Sequence, residues 1–291
     1  MLLEADMPQS TYRPEMTQSG LPPTQAVTVV DEYQNIREQH IADEQPLTIY
    51  LDRHEVVTLM TLGTQPELLT LGYLKNQGLI KNIEDIKSIQ VDWDVNASVV
   101  TTVSENDEWL DKVKNRTVTT GCGQGTVFGD IMEQLDNIKL EPIKLRQSDI
   151  YKLLKNLNEF NNVYKSAGAV HGCALCHDTK IITFMEDVGR HNAVDAIAGY
   201  MWLEGIQGND KLFYTTGRLT SEMVIKVAQM GIPALLSRSG ITQMGLKLAQ
   251  DVGVIMFSRA KGQHFLIYNG SEHIEFDTKL PAKLQVANVK S

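Results

Sequence analysis

Between residues 191 and 258 the chain alternates strictly between helical and extended patterns. Strands that are separated by helices pack side by side in parallel, with the helices covering the faces of the sheet. This alternation predicts an α/β fold with a mostly parallel sheet. The helix and strand pairs are 191–204 with 211–216, 220–230 with 233–237, and 242–251 with 253–258.

Two further elements precede this alternation. An amphipathic helix is predicted near 148–160, and a hairpin over 169–186 turns at Asp178–Lys180. Because the two strands of a hairpin are antiparallel, the complete sheet is expected to be mixed. Upstream, residues alternate over 47–51, 56–60 and 87–104, and helical spacing over 66–74 ends near Gly78, which indicates a smaller α+β domain.

The length of 291 residues, of which 42% are hydrophobic, favours two domains over one. The first 27 residues contain four prolines among polar residues without an apolar period, which is typical of a flexible segment. The predicted organisation is a flexible leader over 1–27, the small α+β domain over 28–115, an interdomain segment over 116–147, the α/β domain over 148–270 and a C-terminal extension over 271–291.

Composition excludes several classes of protein. The net charge of −9 argues against nucleic-acid binding, which requires a dense basic surface. No apolar run approaches the roughly 18 residues of a membrane span, and the amino terminus lacks the pattern of a secretory signal. Three cysteines without such a signal argue against a disulfide framework. We therefore expect a cytoplasmic protein with free thiols.

Arginines follow four successive strands of the predicted α/β domain. In an open α/β sheet the carboxyl ends of the strands form the ligand crevice, and helix N-termini there attract anions. Arginines at the same edge predict a phosphate site, and their number favours a large or doubled nucleotide ligand. The alternative is that each arginine pairs internally, with Glu186, Asp187 or Glu222 as candidate partners. The four residues are Arg190, Arg218, Arg238 and Arg259.

Two motifs carry a resemblance to a known family. Residues 186–195 read Glu-Asp-Val-Gly-Arg-His-Asn-Ala-Val-Asp, and residues 217–226 read Gly-Arg-Leu-Thr-Ser-Glu-Met-Val-Ile-Lys. Together they resemble the paired signatures of the FdhD/NarQ family. The resemblance implies a cytidine-deaminase-like mixed sheet with covering helices for the second domain.

The same resemblance implies a function and a set of partners. Members accept sulfur as a persulfide from a cysteine desulfurase and insert it into the molybdenum bis(molybdopterin guanine dinucleotide) cofactor needed by the formate dehydrogenase apo-enzyme. A guanine nucleotide is the expected mimic of this cofactor. The resemblance leaves open whether the protein forms a homodimer. The resemblance places the cofactor loop on Phe257, Ser258, Arg259, Ala260, Lys261 and Gly262.

Further cofactor contacts are expected around this loop. Arg190 and Arg218 are predicted to hold phosphates together with Arg259 and Lys261. His191, Asn192 and His171 are candidates for hydrogen bonds to the pterin or to the transferred sulfur. Glu186, Asp187 and Asp195 are expected to orient the arginines and to cap helices rather than to act as acids.

Cys122 lies in the glycine-rich sequence Thr-Thr-Gly-Cys-Gly-Gln-Gly-Thr over 119–126. The family usually has Cys-Gly-x-Cys-Gly here, so Cys122 matches the active position while Gly125 replaces the second cysteine. A persulfide carrier needs an accessible thiolate on an adaptable loop, and exposed glycine amides stabilise an anion. Cys122 is therefore the predicted sulfur-carrying residue. The alternative is a small residue in an interdomain turn.

Cys173 and Cys176 form a Cys-x-x-Cys sequence between His171 and His177, which raises a zinc site as an alternative. If this segment is a strand, the two thiols point to opposite faces and cannot share a metal. We predict no metal site and expect buried structural cysteines, with a secondary sulfur relay as the other option. A zinc deaminase is disfavoured because 191–193 and 220–223 lack the catalytic glutamate and the paired thiolates.

The rival function is a non-catalytic carrier or chaperone of the molybdenum cofactor. Such a protein binds the nucleotide and docks on the apo-enzyme without moving sulfur. The missing second cysteine at Gly125 is the feature that favours it.

Overall fold

A computed structural model describes residues 12–104 and 138–279, together with residue 135 and the backbone of 117–118 and 125–126. Cys122 lies outside these described residues. None of the helices in the described ranges is long and apolar enough to cross a membrane.

The N-terminal part contains seven strands and one helix. In chain order they are β1 (Glu15–Met16), β2 (Thr24–Val30), β3 (Ile36–Ala42), β4 (Gln45–Leu51), β5 (His54–Thr61), α1 (Pro66–Asn76), β6 (Ile86–Asp92) and β7 (Ala97–Thr102).

The remaining described residues supply ten strands and five helices. They are β8 (Thr117–Val118), β9 (Gly125–Thr126), β10 (Leu145–Arg146), α2 (Gln147–Leu157), α3 (Asn162–Ala167), β11 (His171–His177), β12 (Lys180–Asp187), α4 (Arg190–Leu203), β13 (Leu212–Thr215), α5 (Ser221–Gln229), β14 (Ala234–Ser237), α6 (Gln243–Val252), β15 (Ile255–Lys261), β16 (His264–Asn269) and β17 (Ile274–Glu275).

A five-stranded sheet in the order β1-β6-β7-β4-β5 forms the N-terminal layer. The predicted hairpin is confirmed: β4 and β5 pair antiparallel, with Leu47 opposite Leu59. Alternation along β4 sends Leu47, Ile49 and Leu51 into the core, which is the period of a strand with one buried face. Helix α1 begins with Pro66, whose fixed φ suits the first helical turn, and the chain leaves it through Gly78 at φ 64°.

A six-stranded mixed sheet in the order β12-β11-β13-β14-β15-β16 forms the second layer. Strands β13, β14 and β15 are parallel, as the alternation predicts, and the two flanking hairpins are antiparallel. Because β12 and β13 both run antiparallel to β11, the strands β12 to β15 all end at the same edge of the sheet. We call this edge the carboxyl edge.

The two faces of the six-stranded sheet pack on different partners. Cys173 and Leu175 point toward the core shared with helices α4, α5 and α6 and the five-stranded sheet. Ala174 and Cys176 point the other way, toward helix α2. The prediction that Cys173 and Cys176 face opposite sides is confirmed.

A single hydrophobic core runs across the predicted boundary between the two domains. It extends from Leu47 of the five-stranded sheet to Met256 of the six-stranded sheet. Helices α1 and α4 meet at Gly72 and Gly199, where an added methyl carbon on Gly72 would lie 1.7 Å from the Asp195 carbonyl oxygen. The hydrophobic core is therefore shared across this boundary, because each part supplies one helix of the pair.

The two ends of the described chain also differ from the prediction. Residues 12–27 are not a flexible leader: β1 pairs with β6, and the Tyr12 hydroxyl donates to the Ile86 carbonyl at 2.6 Å. The C-terminal extension begins with packed structure, since β17 pairs with β10 and Asp277 accepts a hydrogen bond from the Ser148 hydroxyl at 2.6 Å. The strand pairing at each end was not predictable from local composition, because the partner strands β6 and β10 are distant in sequence.

Replacing Gly72 with alanine is expected to lower the free energy of unfolding by about 1–3 kcal/mol or more, because the new methyl group forces α1 and α4 apart. Urea denaturation followed by circular dichroism measures this loss. Gly240→Ala is the matched control, since its nearest neighbour would lie 3.5 Å away. Equal stability of Gly72→Ala and the wild type would contradict the described contact.

Candidate functional site

Hydroxyl side chains at the carboxyl edge hold the loops that follow the strands. At the end of β13, Thr215 Oγ1 accepts from the Gly217 backbone N–H at 3.0 Å. At the end of β14, Ser237 Oγ donates to the Gly217 carbonyl at 2.6 Å and accepts from the Ser239 N–H at 2.9 Å. The backbones of both loops are therefore fixed by side chains that lie at strand ends.

Asp187 fixes the loop between β12 and α4. Its carboxylate accepts from the Thr61 hydroxyl at 2.5 Å, from the Gly189 N–H at 2.9 Å and from Asn192 Nδ2 at 2.7 Å. Burial raises the pKa of Asp187, while these hydrogen bonds act in the opposite direction. The same Asn192 amide donates to the Met60 carbonyl at 2.7 Å, so the start of α4 is anchored to β5.

A cleft of about 330 Å³ opens at the carboxyl edge. Two of the four predicted arginines, Arg238 and Arg259, line it, together with the half-buried His171. Arg259 adopts φ 54° at an irregularity of β15, and its N–H donates to the Ser239 carbonyl at 3.0 Å. The lining residues are Asn161, Tyr164, Val170, His171, Gly172, Thr216, Arg238, Ser239 and Arg259.

Arg190 and Arg218 add positive charge beside this cleft. Arg190 begins α4 directly after β12, and Arg218 follows β13, so both lie at the carboxyl edge. Burial lowers the pKa of His171, and the charges of these two arginines lower it further. Arg190 is 6% exposed, and its side chain lies so close to Gly217 that a methyl carbon there would meet Arg190 Cδ at 2.9 Å. Within the described part of the chain, Arg190 Nε has no hydrogen-bond partner. The four arginines thus share one edge of the sheet.

His191 faces the first turn of α5. Its Nε2 lies 3.1 Å from Glu222 Oε2, a contact that favours a charged imidazole. Burial opposes that charge, and the nearby cations Lys226 and Arg190 oppose it further, so that the pKa of His191 falls to about 2. These effects together hold the buried imidazole of His191 in its neutral form.

A buried ion pair lies behind the site. Lys226 Nζ is 2.7 and 2.6 Å from the two carboxylate oxygens of Asp195, which also accepts from Asn76 Nδ2 at 2.7 Å. Asp195 is fully buried and Lys226 is 4% exposed. The expectation that Asp195 orients an arginine is wrong, because its partners are a lysine on α5 and an amide on α1.

Glu186 and Asp187 also differ in part from the prediction. Glu186 accepts from the backbone N–H groups of Val163 and Tyr164 at 2.9 Å each, which makes it a cap for helix α3, as expected. Asp187 instead binds the loop at the start of α4 and the end of β5. The alternative that these carboxylates neutralise the arginines receives no support from these contacts.

Cys173 and Cys176 are both buried, consistent with structural cysteines. Burial raises the pKa of Cys173 to about 12 and raises that of Cys176 further above its usual range. Cys173 Sγ donates to Thr215 Oγ1 at 3.3 Å, directly below the cleft. A protonated, enclosed thiol is a poor sulfur acceptor. In the described ranges, no three His, Cys, Asp or Glu side chains converge in a way that could hold a metal ion.

The predicted cofactor loop divides between buried and exposed residues. Phe257, Ser258 and Ala260 are buried, with the Phe257 ring packed edge-on against Phe265 at 5.5 Å. Arg259, Lys261 and Gly262 are exposed and face solvent at the carboxyl edge or beyond it. Contact of these six residues with the cofactor stays a prediction.

Sequence reasoning missed part of the cleft. Asn161 and Tyr164 come from the loop before α3 and from α3 itself, and Thr216 follows β13. No motif marks the first two residues, because they reach the cleft through the packing of α3 against the sheet. Thr216 lies next to the Gly217-Arg218 motif, and this adjacency could have predicted it as a residue of the cleft.

The fold and this cleft define a class: a mixed α/β protein with an arginine-rich cleft at the carboxyl edge of its main sheet. The FdhD/NarQ family model matches residues 42–275, and the chain belongs to this family.

Several relatives and one solved structure are similar over most of the chain. The sulfur carrier protein FdhD of Bacillus licheniformis is 29% identical over 242 residues, covering 82% of this chain and 92% of the relative. The protein of the same name from Listeria monocytogenes serotype 4b is 30% identical over 243 residues, covering 81% and 92%. A crystal structure described as a candidate formate dehydrogenase accessory protein from Desulfotalea psychrophila has a TM-score of 0.69 and 29% identity, covering 87% of this chain and 98% of that one.

The buried, neutral His191 generates a prediction about acid stability. Its pKa is about 2 in the folded chain, against about 6.5 in an unfolded one, so between these values only the unfolded chain binds the proton. Stability therefore falls as pH falls below about 6.5, by roughly 2 kcal/mol for this one group between pH 7 and pH 5.

Urea unfolding of the wild type and of His191→Gln at both pH values measures this effect. The variant is expected to lose about 1–2 kcal/mol less than the wild type over the same interval. His264→Gln, which changes an exposed histidine, is the matched control and keeps the wild-type slope. A His191→Gln slope equal to that of the wild type would show that His191 is charged in the folded protein.

Proposed function

We propose that this protein is a sulfur carrier for formate dehydrogenase, with a nucleotide-bearing molybdenum cofactor as the molecule that receives the sulfur. The observation that carries the proposal is the gathering of Arg190, Arg218, Arg238 and Arg259 at one edge of the sheet in a chain of net charge −9. The names of the relatives, which call those proteins sulfur carriers, support the same function.

The cleft supplies two kinds of phosphate donor. The first turns of α4, α5 and α6 begin at the carboxyl edge, and their free backbone N–H groups favour an anion. Guanidinium groups add paired hydrogen bonds with a geometry that matches phosphate oxygens. Arg190, whose Nε is buried and without a partner in the described ranges, is the group most in need of such an anion. The proposed cofactor carries two pyrophosphates and two guanines. Its four phosphate groups match the four arginines in number.

The sulfur step belongs to Cys122. Its thiolate attacks the outer sulfur of a persulfide on a cysteine desulfurase, so that a new S–S bond forms on Cys122 as the donor S–S bond breaks. The donor cysteine leaves as a thiolate, and Cys122 carries the persulfide. Delivery of the outer sulfur at the sulfane level breaks the S–S bond and releases the Cys122 thiolate, and the two electrons that would make this sulfur a sulfide ligand would come from the reduced metal of the substrate cofactor. Gly121, Gly123 and Gly125 suit a loop that moves between the two partners.

Cys122 works without a resolving cysteine in this mechanism. The position of the usual second thiol is Gly125, which belongs to the short strand β9 paired with β8. Cys173 cannot substitute, because its thiol is buried and protonated. Transfer therefore proceeds through a persulfide alone and involves no internal disulfide.

The second candidate function is a cofactor carrier or chaperone that moves no sulfur. Gly125 in place of the second cysteine favours it. It shares the phosphate site with the first proposal and differs only in the role of Cys122.

Removing an arginine from the cleft is expected to weaken nucleotide binding. Arg218→Ala and Arg259→Ala should each raise the dissociation constant of GDP by about tenfold or more, because each loses a charge-assisted hydrogen bond. Isothermal titration calorimetry measures the constant. Arg53→Ala, an exposed arginine in the turn between β4 and β5, is the matched control. Unchanged affinity in both cleft variants would refute the phosphate site.

Replacing Cys122 with serine separates the two candidate functions. Incubation with a cysteine desulfurase and cysteine should add about 32 Da, the mass of one sulfur atom, to the wild type but not to Cys122→Ser. Intact-mass spectrometry measures the adduct, and its loss on reduction identifies a persulfide. The variant should also fail to restore formate dehydrogenase activity. Full restoration by Cys122→Ser would instead support the carrier without sulfur transfer.

A further inference from the structure

A second pocket lies at the edge of the six-stranded sheet that is opposite to the cleft. Its wall includes residues 205–209, which lead into β13, and residues 230–231, which precede β14. Because β13 and β14 are parallel, both begin at this edge and end at the carboxyl edge. We call this cavity of about 270 Å³ the rear pocket. Its size suits a small molecule, and it shares no lining residue with the cleft.

Lys75 is the one charged side chain among the described residues that line the rear pocket. Its Nζ lies 5.4 Å from the centre of the Trp202 ring, which is a cation–π contact. Burial lowers the pKa of Lys75, and no carboxylate of the described residues acts in the opposite direction. The pocket wall therefore carries an ammonium group that lacks a counter-ion in the part of the chain that the structure describes.

Gln229, the last residue of α5, supplies a hydrogen-bond acceptor to the same wall. Its side-chain oxygen is buried and has no hydrogen-bond partner within the described ranges. A buried acceptor without a donor is costly, and a ligand that brings an N–H or O–H group removes this cost. The pocket thus offers one place for an anion and one for a hydrogen-bond donor.

Three helices end at the rear pocket. Lys75 lies in the last turn of α1, α4 ends at Leu203 and α5 ends at Gln229. The C-terminal end of a helix carries a partial negative charge and favours a cation. A purely anionic ligand would be attracted by Lys75 but repelled by these helix ends. A ligand that carries both a negative and a positive group satisfies both features.

The remaining wall of the rear pocket is largely apolar. Met201, Ile206 and Met230 are buried there, and the half-buried Trp202 presents its ring. Methionine side chains adapt to the shape of an apolar ligand, and an aromatic ring offers a flat surface for it. The ligand is therefore expected to have an apolar body in addition to its two charged groups.

We propose that the rear pocket binds a free α-amino acid with an apolar side chain. Its carboxylate pairs with Lys75, and its ammonium group donates to the Gln229 oxygen near the ends of α4 and α5. Its side chain lies against Trp202 and the two methionines. Because the rear pocket and the cleft have no lining residue in common, this site is independent of the sulfur-carrier function and can fail without affecting it.

Isothermal titration calorimetry of the full chain with L-leucine, L-methionine and L-phenylalanine tests the proposal. At least one of the three is expected to bind the wild type. Lys75→Met should raise its dissociation constant by about tenfold or more, because the charge-assisted contact with the carboxylate is lost. Lys81→Met, which changes an exposed lysine outside the pocket, is the matched control and keeps the wild-type affinity. Circular dichroism confirms that each variant is folded.

Ligand analogues test the two charged contacts on the unchanged protein. For phenylalanine, phenylpropionate lacks the amino group and phenylethylamine lacks the carboxylate, and each should bind about tenfold more weakly. Gln229→Leu should weaken the binding of the amino acid but leave the affinity for the analogue without an amino group unchanged.

Three results would overturn the proposal. The first is a wild type that binds none of the three amino acids at millimolar concentration. The second is equal affinity of the wild type and Lys75→Met. The third is an amino acid that binds no better than its two analogues. A Gln229→Leu variant that weakens the amino acid and the analogue without an amino group equally would overturn the ammonium contact.

Discussion

Helices α1 and α4 approach so closely that their backbones touch, and this contact supports both sheets. Gly72 and Gly199 permit the approach, because any side-chain carbon at either position would overlap the facing backbone. Because the space between the helices cannot hold large side chains, polar groups at its border determine how the helices are positioned. These groups are Asn76 on α1, Asp195 on α4 and Lys226 on α5. A buried charge pair is costly to desolvate, and removing one partner would leave the other uncompensated. These groups therefore fix one mutual position of three helices.

The position of α4 in turn decides the geometry of the cleft. Its first turn carries Arg190, His191 and Asn192, and the loop before it is tied to β5 through Asp187. The five-stranded sheet thus sets the edge of a site that lies on the other sheet. This explains why the N-terminal part belongs to the same folding unit as the arginine-rich cleft, even though none of the described residues 12–104 lines it.

Elements with a clear local period were predictable from sequence, and features that depend on distant partners were not. The helix and strand alternation after residue 191 gives the parallel core of the sheet, and the odd spacing of Cys173 and Cys176 gives their opposite faces. The core shared by the two parts was not predictable, because nothing in the local sequence around Gly72 and Gly199 indicates that two helices touch there. Asn161 and Tyr164 reach the cleft through tertiary packing of α3, and residues 12–27 are ordered by strand pairing with β6.

The burial of two cysteines limits how much reactive sulfur the folded chain can hold. Cys173 and Cys176 lie on opposite faces of the six-stranded sheet, and burial raises the pKa of both thiols. Persulfides exchange readily with accessible thiolates, so a carrier with several reactive cysteines would scramble its cargo. Under the proposed function, enclosing these two leaves Cys122 as the thiol that can carry sulfur, one atom per chain. The packing of the sheet would then set the stoichiometry, with no need for selective recognition among thiols.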